Sequence, residues 1–343
     1  MVFEYTGVGC SVPKDITSVR FNDGLQKIGK CAFSECTSLE SIKLPSTVTE
    51  IGDSAFHNCY NLREVILNDG LQKIGIGTFS NCTSLESIKL PSTLVEIGND
   101  AFNGCSNLKE IIMKEGLQKI GGWAFFACLS LESIKLPSTL VEIGAVAFHK
   151  CSNLREVTLN EGLQKIGNRA FLDCVSLESI TLPSSLAEIG THAFSGCSNL
   201  REAKLNGIPQ HLNSDAFNHC DALERVLFPT ISYRLKNIIQ TSHWEELDDK
   251  LNEVRGVVQW QSNKLFVSRF FRNWNDVRRD LGKIALLVSY YELKEATTTF
   301  ELALWKFNLD QTDETNNANR AAYRIDVPGP VKDTMLQYLD HTR

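Results

Sequence analysis

Leu39-Glu40-Ser41-Ile42-Lys43-Leu44-Pro45-Ser46-Thr47-Val48-Thr49-Glu50-Ile51-Gly52-Asp53-Ser54-Ala55-Phe56-His57-Asn58-Cys59-Tyr60-Asn61 is the unit from which most of this chain is built. Its 23-residue step returns without insertion or deletion. Phenylalanine stands at Phe33, Phe56, Phe79, Phe102, Phe125, Phe148, Phe171, Phe194 and Phe217. Cysteine follows three residues later in each case, at Cys36, Cys59, Cys82, Cys105, Cys128, Cys151, Cys174, Cys197 and Cys220. A fixed period of this length marks a stack of short supersecondary units, because one unit cannot bury its own apolar face.

Within the unit, Leu39, Ile42, Leu44, Val48, Ile51, Ala55, Phe56 and Cys59 form the inward set. The tract around Ile42 and Leu44 alternates apolar with polar, as a strand with one solvated face does. Pro45 ends it, and Asn68 ends the next one. Gly52 and its equivalents Gly29, Gly75, Gly98, Gly121, Gly144, Gly167 and Gly190 are expected to permit a turn closed to residues with a Cβ. Strand beside strand at about 4.8 Å, nine turns extend roughly 45 Å.

The Ile-Gly-x-x-Ala-Phe-x-x-Cys-x-x-Leu run resembles the BspA-like type of leucine-rich repeat, over about Ile16 to Pro229. That resemblance implies a repeat β-solenoid, leucine-rich repeat and L-domain-like, whose strand-lined face holds other proteins. Tyr5-Thr6-Gly7 and the segment Phe300 to Lys306 are also similar to repeat proteins of single-celled algae. Three regions are expected: residues 1–24 as an N-terminal cap, 25–229 as nine solenoid units, and 230–343 as a mostly α-helical C-terminal domain or cap. In the cap, Ile16, Val19 and Phe21 take inward strand slots, Cys10 the phenylalanine slot and Pro13 the cysteine slot.

A period of 46 lies over the period of 23. Alternate units read Ser-Ile-Lys-Leu-Pro-Ser-Thr-Leu and Glu-Val-x-Leu-Asn-x-Gly-Leu, and their charges alternate too. One column runs Glu40, Arg63, Glu86, Lys109, Glu132, Arg155, Glu178, Arg201 and Glu224. Another, placed in the turn after the strand, runs Lys27, Glu50, Lys73, Glu96, Lys119, Glu142, Lys165 and Glu188. Stacking sets opposite signs side by side, and a slip of one repeat would set like signs together. Control of register is the expected role.

The chemistry-bearing residues point away from catalysis. A single-slot cysteine column lacks the converging spacing of a zinc site and the opposed Cβ vectors of a disulfide, so it reads as packing. Cys31, off the column, is the most exposed thiol by its slot. His57, His149, His192, His211 and His219 read as surface histidines. No phosphate loop, nucleophile elbow or His-Glu-x-x-His motif occurs, and no cofactor or metal is expected. The net charge of −6 and the balance of 16 basic and 16 acidic residues over 230–343 predict no nucleic-acid partner. The basic-aromatic run Arg269 to Trp274 there is interrupted by Asp276 and Asp280. No apolar run reaches the roughly 20 residues of a membrane span. The stretch Met1 to Gly7 has no basic n-region or apolar h-region, which predicts a cytoplasmic protein with reduced thiols.

Individuality is therefore sought where the repeat is broken. Slots that are usually polar hold Trp123, Phe126, Leu129, Val146, Leu172 and Val175, a candidate apolar patch away from the main strands. On the strand face, Ile66, Ile112 and Leu227 are expected to project among Lys43, Lys89, Lys135 and Lys204. The function expected is non-enzymatic binding of a protein partner through the solenoid. A secreted or surface adhesin, or repeats that target an activity of residues 230–343, are the alternatives.

Overall fold

The computed structural model describes residues 2–227 apart from Val8, Ile208, Ser214 and Glu224, all within one compact unit. The side chains of residues 225–227 are not described, and the helical region expected over 230–343 lies outside the described residues.

The described chain is a stack of short parallel strands and turns, a β-solenoid in which residue i meets residue i+23. Its most continuous sheet has nine strands, each of two residues, from Lys27–Ile28 to His211–Leu212. The register is the repeat itself: Lys27 lies beside Glu50 and Ile28 beside Ile51, and so on to Ile189 beside Leu212. These are the positions assigned above to a turn. A two-residue run is too short to show alternation, so only the stacking reveals it as a ladder.

The longer strands behave differently. Ser41–Lys43 pairs with Glu64–Ile66, Ser87–Lys89 with Glu110–Ile112, Ser133–Lys135 with Glu156–Thr158, and Ser179–Leu182 with Glu202–Leu205. Up to Ser179 the sheet breaks between one pair and the next. The sequence period of 46 is thus visible in the backbone: a Pro-type strand bonds to the Asn-type strand that follows it.

The glycine column is needed for a different reason from the one expected. None of Gly52, Gly75, Gly98, Gly121, Gly144, Gly167 and Gly190 has a left-handed φ. Each instead presses on the repeat before it. A Cβ on Gly98 would stand 2.7 Å from the Gly75 carbonyl oxygen, and one on Gly144 would stand 2.5 Å from the Gly121 carbonyl carbon. The left-handed corners fall at two other slots. One holds Cys31, Ser54, Gly77, Asp100, Trp123, Val146, Arg169 and His192, and the second, four residues on, runs from Glu35 to His219. Between the two corners, amides bond to carbonyls 22 residues ahead, as Phe33 N to Ala55 O at 2.7 Å and Phe125 N to Ala147 O at 2.7 Å. The next repeat thereby dictates the corner conformation.

The interior is a file of stacked rings. From Phe33 to Phe217 successive phenylalanines lie nearly parallel, with centroids 5.0 Å apart at the first step and 5.4 Å at the second. That offset stacking is a favoured aromatic geometry. From Cys59 onward each column thiol donates to a phenylalanine carbonyl of the preceding unit, Cys59 to Phe33 at 3.1 Å and Cys105 to Phe79 at 3.1 Å, while Cys36 donates to the Pro13 carbonyl. Burial pushes the Cys59, Cys105 and Cys151 thiols up to about 12. They are therefore protonated packing groups, as the spacing indicated.

The N-terminal cap contains a strand the repeat pattern does not show. Val2–Tyr5 pairs in parallel with Ser18–Phe21, and Tyr5 is buried against Phe33 at 4.9 Å. Its hydroxyl accepts the Gly29 amide at 3.1 Å. Tyr5, rather than Cys10, begins the ring file. Ile16 and Phe21 are buried as expected, while Val19 is half-buried.

Candidate functional site

Two surfaces carry the departures from the repeat. At the corners, Trp123 occupies a left-handed slot with φ 60° and remains 44% exposed. For an ordinary residue this conformation costs roughly 1–2 kcal/mol, which is why glycine, asparagine and aspartate are favoured there. Its amide bonds to Ala145 O at 2.9 Å, so the following repeat holds it in place. The indole packs on Phe126 at 5.1 Å, and Phe126 meets the His149 ring edge-on at 5.2 Å. Lys150 Nζ lies 5.9 Å from the Phe126 centroid, within cation–π range.

His149 is not the surface histidine expected. Its side chain is only 15% exposed, Nε2 lies 3.3 Å from Asp173 Oδ2, and Nδ1 is buried without a hydrogen-bond partner. With the proton on Nε2 donated to Asp173, Nδ1 is an unprotonated acceptor facing apolar groups. Burial draws the His149 pKa down, against the opposing pull of Asp173. The ring is thus kept neutral and joins Trp123 and Phe126 of one repeat to Asp173, two repeats on.

The six apolar corner residues do not form one uniform patch. Trp123, Leu129 and Val175 are exposed, Phe126 and Leu172 are half-buried. Val146 is 7% exposed and belongs to the core. Its φ of 63° is nearly that of exposed Trp123 in the same slot, so neither the slot nor the corner conformation decides which of the two is buried.

On the strand face, Ile66 and Ile112 are 43% and 44% exposed. Register sets Ile66 beside Lys43 and Ile112 beside Lys89. Lys135 is also exposed but lies beside Thr158. Leu227 pairs with Lys204 in the backbone, and its side chain is outside the described residues. A cleft of about 340 Å³ opens here, lined by Val65, Ile66, Leu67, Asp69, Lys89, Leu90, Pro91 and Lys114. It sits at the break between Glu64–Ile66 and Ser87–Lys89. Lys114 was not singled out from the sequence, although it breaks an asparagine slot.

The charge columns close as ion pairs. Glu50 lies 3.0 Å from Lys27 and 3.3 Å from Lys73, and Lys165 lies 3.3 Å from Glu188. In the other column Lys109 meets Glu86 at 2.9 Å. The lysine hydrogen bonds hold the Glu50 and Glu86 carboxyls below the usual carboxylate range. Among the described residues no group of three or more histidine, cysteine or carboxylate side chains is placed to hold a metal ion. None of their helices is long and apolar enough to cross a membrane.

Residues 11–132 and 119–242 match the family described as BspA type leucine rich repeat region, in six copies. Comparison with curated proteins finds no match. Among solved structures, the chain is similar to a leucine rich cell surface protein from Faecalibacterium prausnitzii, at 20% identity over 62% of this chain and 79% of that one, TM-score 0.33. It is similar to a leucine rich repeat protein of T. pallidum, at 32% identity over 48% of this chain and 71% of that one, TM-score 0.40. The pneumococcal vaccine antigen PcpA is 22% identical over 64% of this chain and 71% of that one, TM-score 0.41.

Proposed function

The chain belongs to the BspA-type leucine-rich repeat family, and from that premise we propose that it is a non-enzymatic scaffold that binds a protein partner through the corner surface around Trp123. The observation that carries this reading is a large aromatic side chain left 44% exposed at a corner that other repeats fill with Ser54, Gly77, Asp100, Arg169 or His192. Trp123, with Leu129 and Val175 as flanking apolar contacts, has the make-up of an interface anchor: a rigid ring on a supported base. Phe126 packs on the indole and Leu172 stands half-buried two repeats on, and the strand-face lysines Lys43, Lys89 and Lys135 are left for a separate contact.

Affinity capture with the tagged full chain tests the reading, comparing wild type with Trp123→Gly and Leu129→Ser. Gly77 fills the same slot as Trp123 elsewhere in the array, so Trp123→Gly leaves the corner intact. A partner held at this surface loses about 30-fold in affinity with Trp123→Gly. Retention of every wild-type partner by both variants overturns the assignment. The same reading places the protein in the cytoplasm, where its eleven free cysteines stay reduced. Recovery of a tagged copy outside the cell with oxidised thiols counts against that.

A further inference from the structure

The chain contains two internal examples of a carboxylate bound to a turn, and two turns of the same kind, Pro45-Ser46-Thr47 and Pro91-Ser92-Thr93, that are left open; only the second lies on a cleft beside Lys114. In the first, Glu115 reaches the Pro-Ser-Thr turn of the following repeat. It accepts from Ser138 N at 3.2 Å, Ser138 Oγ at 2.9 Å and Thr139 N at 3.3 Å. In the second, 46 residues on, Glu161 accepts from Ser184 N at 3.0 Å, Ser184 Oγ at 2.9 Å and Ser185 N at 3.2 Å. The hydroxyl and amide bonds hold both carboxyls below the usual glutamate range. Successive amides that converge in this way form an anion-binding concavity.

The turn Pro91-Ser92-Thr93 is the equivalent position 46 residues before Pro137-Ser138-Thr139. Its residue in the glutamate slot is Asp69, one methylene shorter. The Asp69 carboxylate is 87% exposed and is drawn to Lys114 at 3.4 Å. Neither the Ser92 nor the Thr93 amide has a hydrogen-bond partner among the described residues. Lys114 is itself a departure, since the same slot holds Asn68 and Asn160 in the units two repeats before and after. Asn68 uses its amide to close the neighbouring turn, bonding Pro45 O at 2.8 Å and Val48 O at 2.9 Å. Replacing that clamp with lysine leaves the cleft of about 340 Å³ bounded by Ile66, Leu67, Asp69, Lys89, Pro91 and Lys114. Lys89, Lys114, Pro91 at the head of the open turn and an apolar wall at Ile66 and Leu67 thus line one cleft, and the Ser92 and Thr93 amides follow Pro91 directly in the chain.

We infer that this cleft is a binding site for a glutamate side chain presented by a partner protein. The carboxylate occupies the Ser92–Thr93 amides as Glu115 and Glu161 occupy theirs. Lys114 exchanges Asp69 for the incoming group, Lys89 adds a second positive charge, and Ile66 and Leu67 cover the ligand's methylenes. The site is separate from the corner surface, and neither depends on the other.

The test is an amide chemical-shift titration of the full chain with N-acetyl-glutamate N-methylamide, against the glutamine analogue and sodium acetate. Saturable shifts of the Ser92 and Thr93 amides are expected with the glutamate compound and not with the glutamine compound. Acetate acting as well as the glutamate compound removes the part assigned to Ile66 and Leu67. Asp69→Glu restores the length of Glu115, fills the turn from within and abolishes the response. Lys114→Asn restores the clamp of the other units and weakens binding by about threefold or more. Absence of shifts at Ser92 and Thr93, equal shifts with the glutamine analogue, or an unchanged response in Asp69→Glu each overturns the inference. Capture of a partner through Trp123 is unaffected by Asp69→Glu, so the two readings fail separately.

Discussion

A methyl group on Gly98 would meet the Gly75 carbonyl oxygen at 2.7 Å and the Ile74 carbonyl oxygen at 2.8 Å, both backbone atoms of the preceding repeat that have little room to yield. Gly98→Ala is therefore expected to cost about 1–3 kcal/mol in a urea melt, as overpacking does. Gly77→Ala, where the new Cβ faces only the Ser54 hydroxyl at 3.4 Å and the corner conformation is already held by other residue types, is expected to cost less. Equal losses would show that close approach is not what the column requires. The recurrence of Ile-Gly made the need for glycine legible; its cause was not, because φ and approach distance are properties of the stack. His149 gives a second residue-level expectation. Its folded pKa is depressed, so between the folded and unfolded values the unfolded chain binds more protons. The contribution of neutral His149 is complete above the unfolded pKa near 6.5 and is lost as pH falls toward the folded value. The Tm difference between wild type and His149→Gln should accordingly shrink from about pH 8 to about pH 5, a span that brackets the histidine range. A difference that grows on acidification would mean that attraction to Asp173 outweighs burial.

At the scale of the element, the two-residue strands owe their existence to what flanks them. Isoleucine side chains fill the inner side of the first eight strands of that ladder and alternating lysine and glutamate line their outer side, with Leu212 and His211 taking those places in the ninth. Glu50 is the best-connected member, facing Lys27 and Lys73 together. Glu50→Lys sets a third lysine between those two. The expected loss is about 0.5–2 kcal/mol at low salt, from two exposed pairs and their replacement by repulsion. Much of it should return at about 1 M salt, where the screening length falls to about 3 Å. A loss independent of salt, measured by thermal melts at both concentrations, would assign the effect to packing. The charge columns could be read from residue spacing alone, since sign and period are both explicit in Lys27, Glu50 and Lys73. The breaks between strand pairs could not. They depend on how a Pro-type and an Asn-type turn sit side by side, and the cleft at Lys114 lies on one of them.

For the whole array, the alternation makes a pair of repeats the interchangeable unit. Removing residues 63–108 joins Glu40 to Lys109 and Glu50 to Lys119 in the two columns, preserving opposite signs. Removing residues 63–85 joins Glu40 to Glu86 and Glu50 to Glu96. Added salt is expected to raise the Tm of the shorter deletion and to leave or lower that of the longer one. The same response in both would show that charge does not set the register. The family and the solenoid were plain from the Phe and Cys columns. The candidate surfaces were legible only in part: Trp123 and Ile66 stand out because they break a slot, whereas Val146 breaks one equally and is buried. The buried thiols have a use of their own. Column cysteines at a spacing of 23 residues, each inert while its repeat is closed, report local opening by the rate at which they are alkylated. Native-state alkylation followed by peptide mapping would convert those rates into an opening free energy for each repeat, a graduated scale of fraying from the Tyr5 end inward that needs no engineered probe.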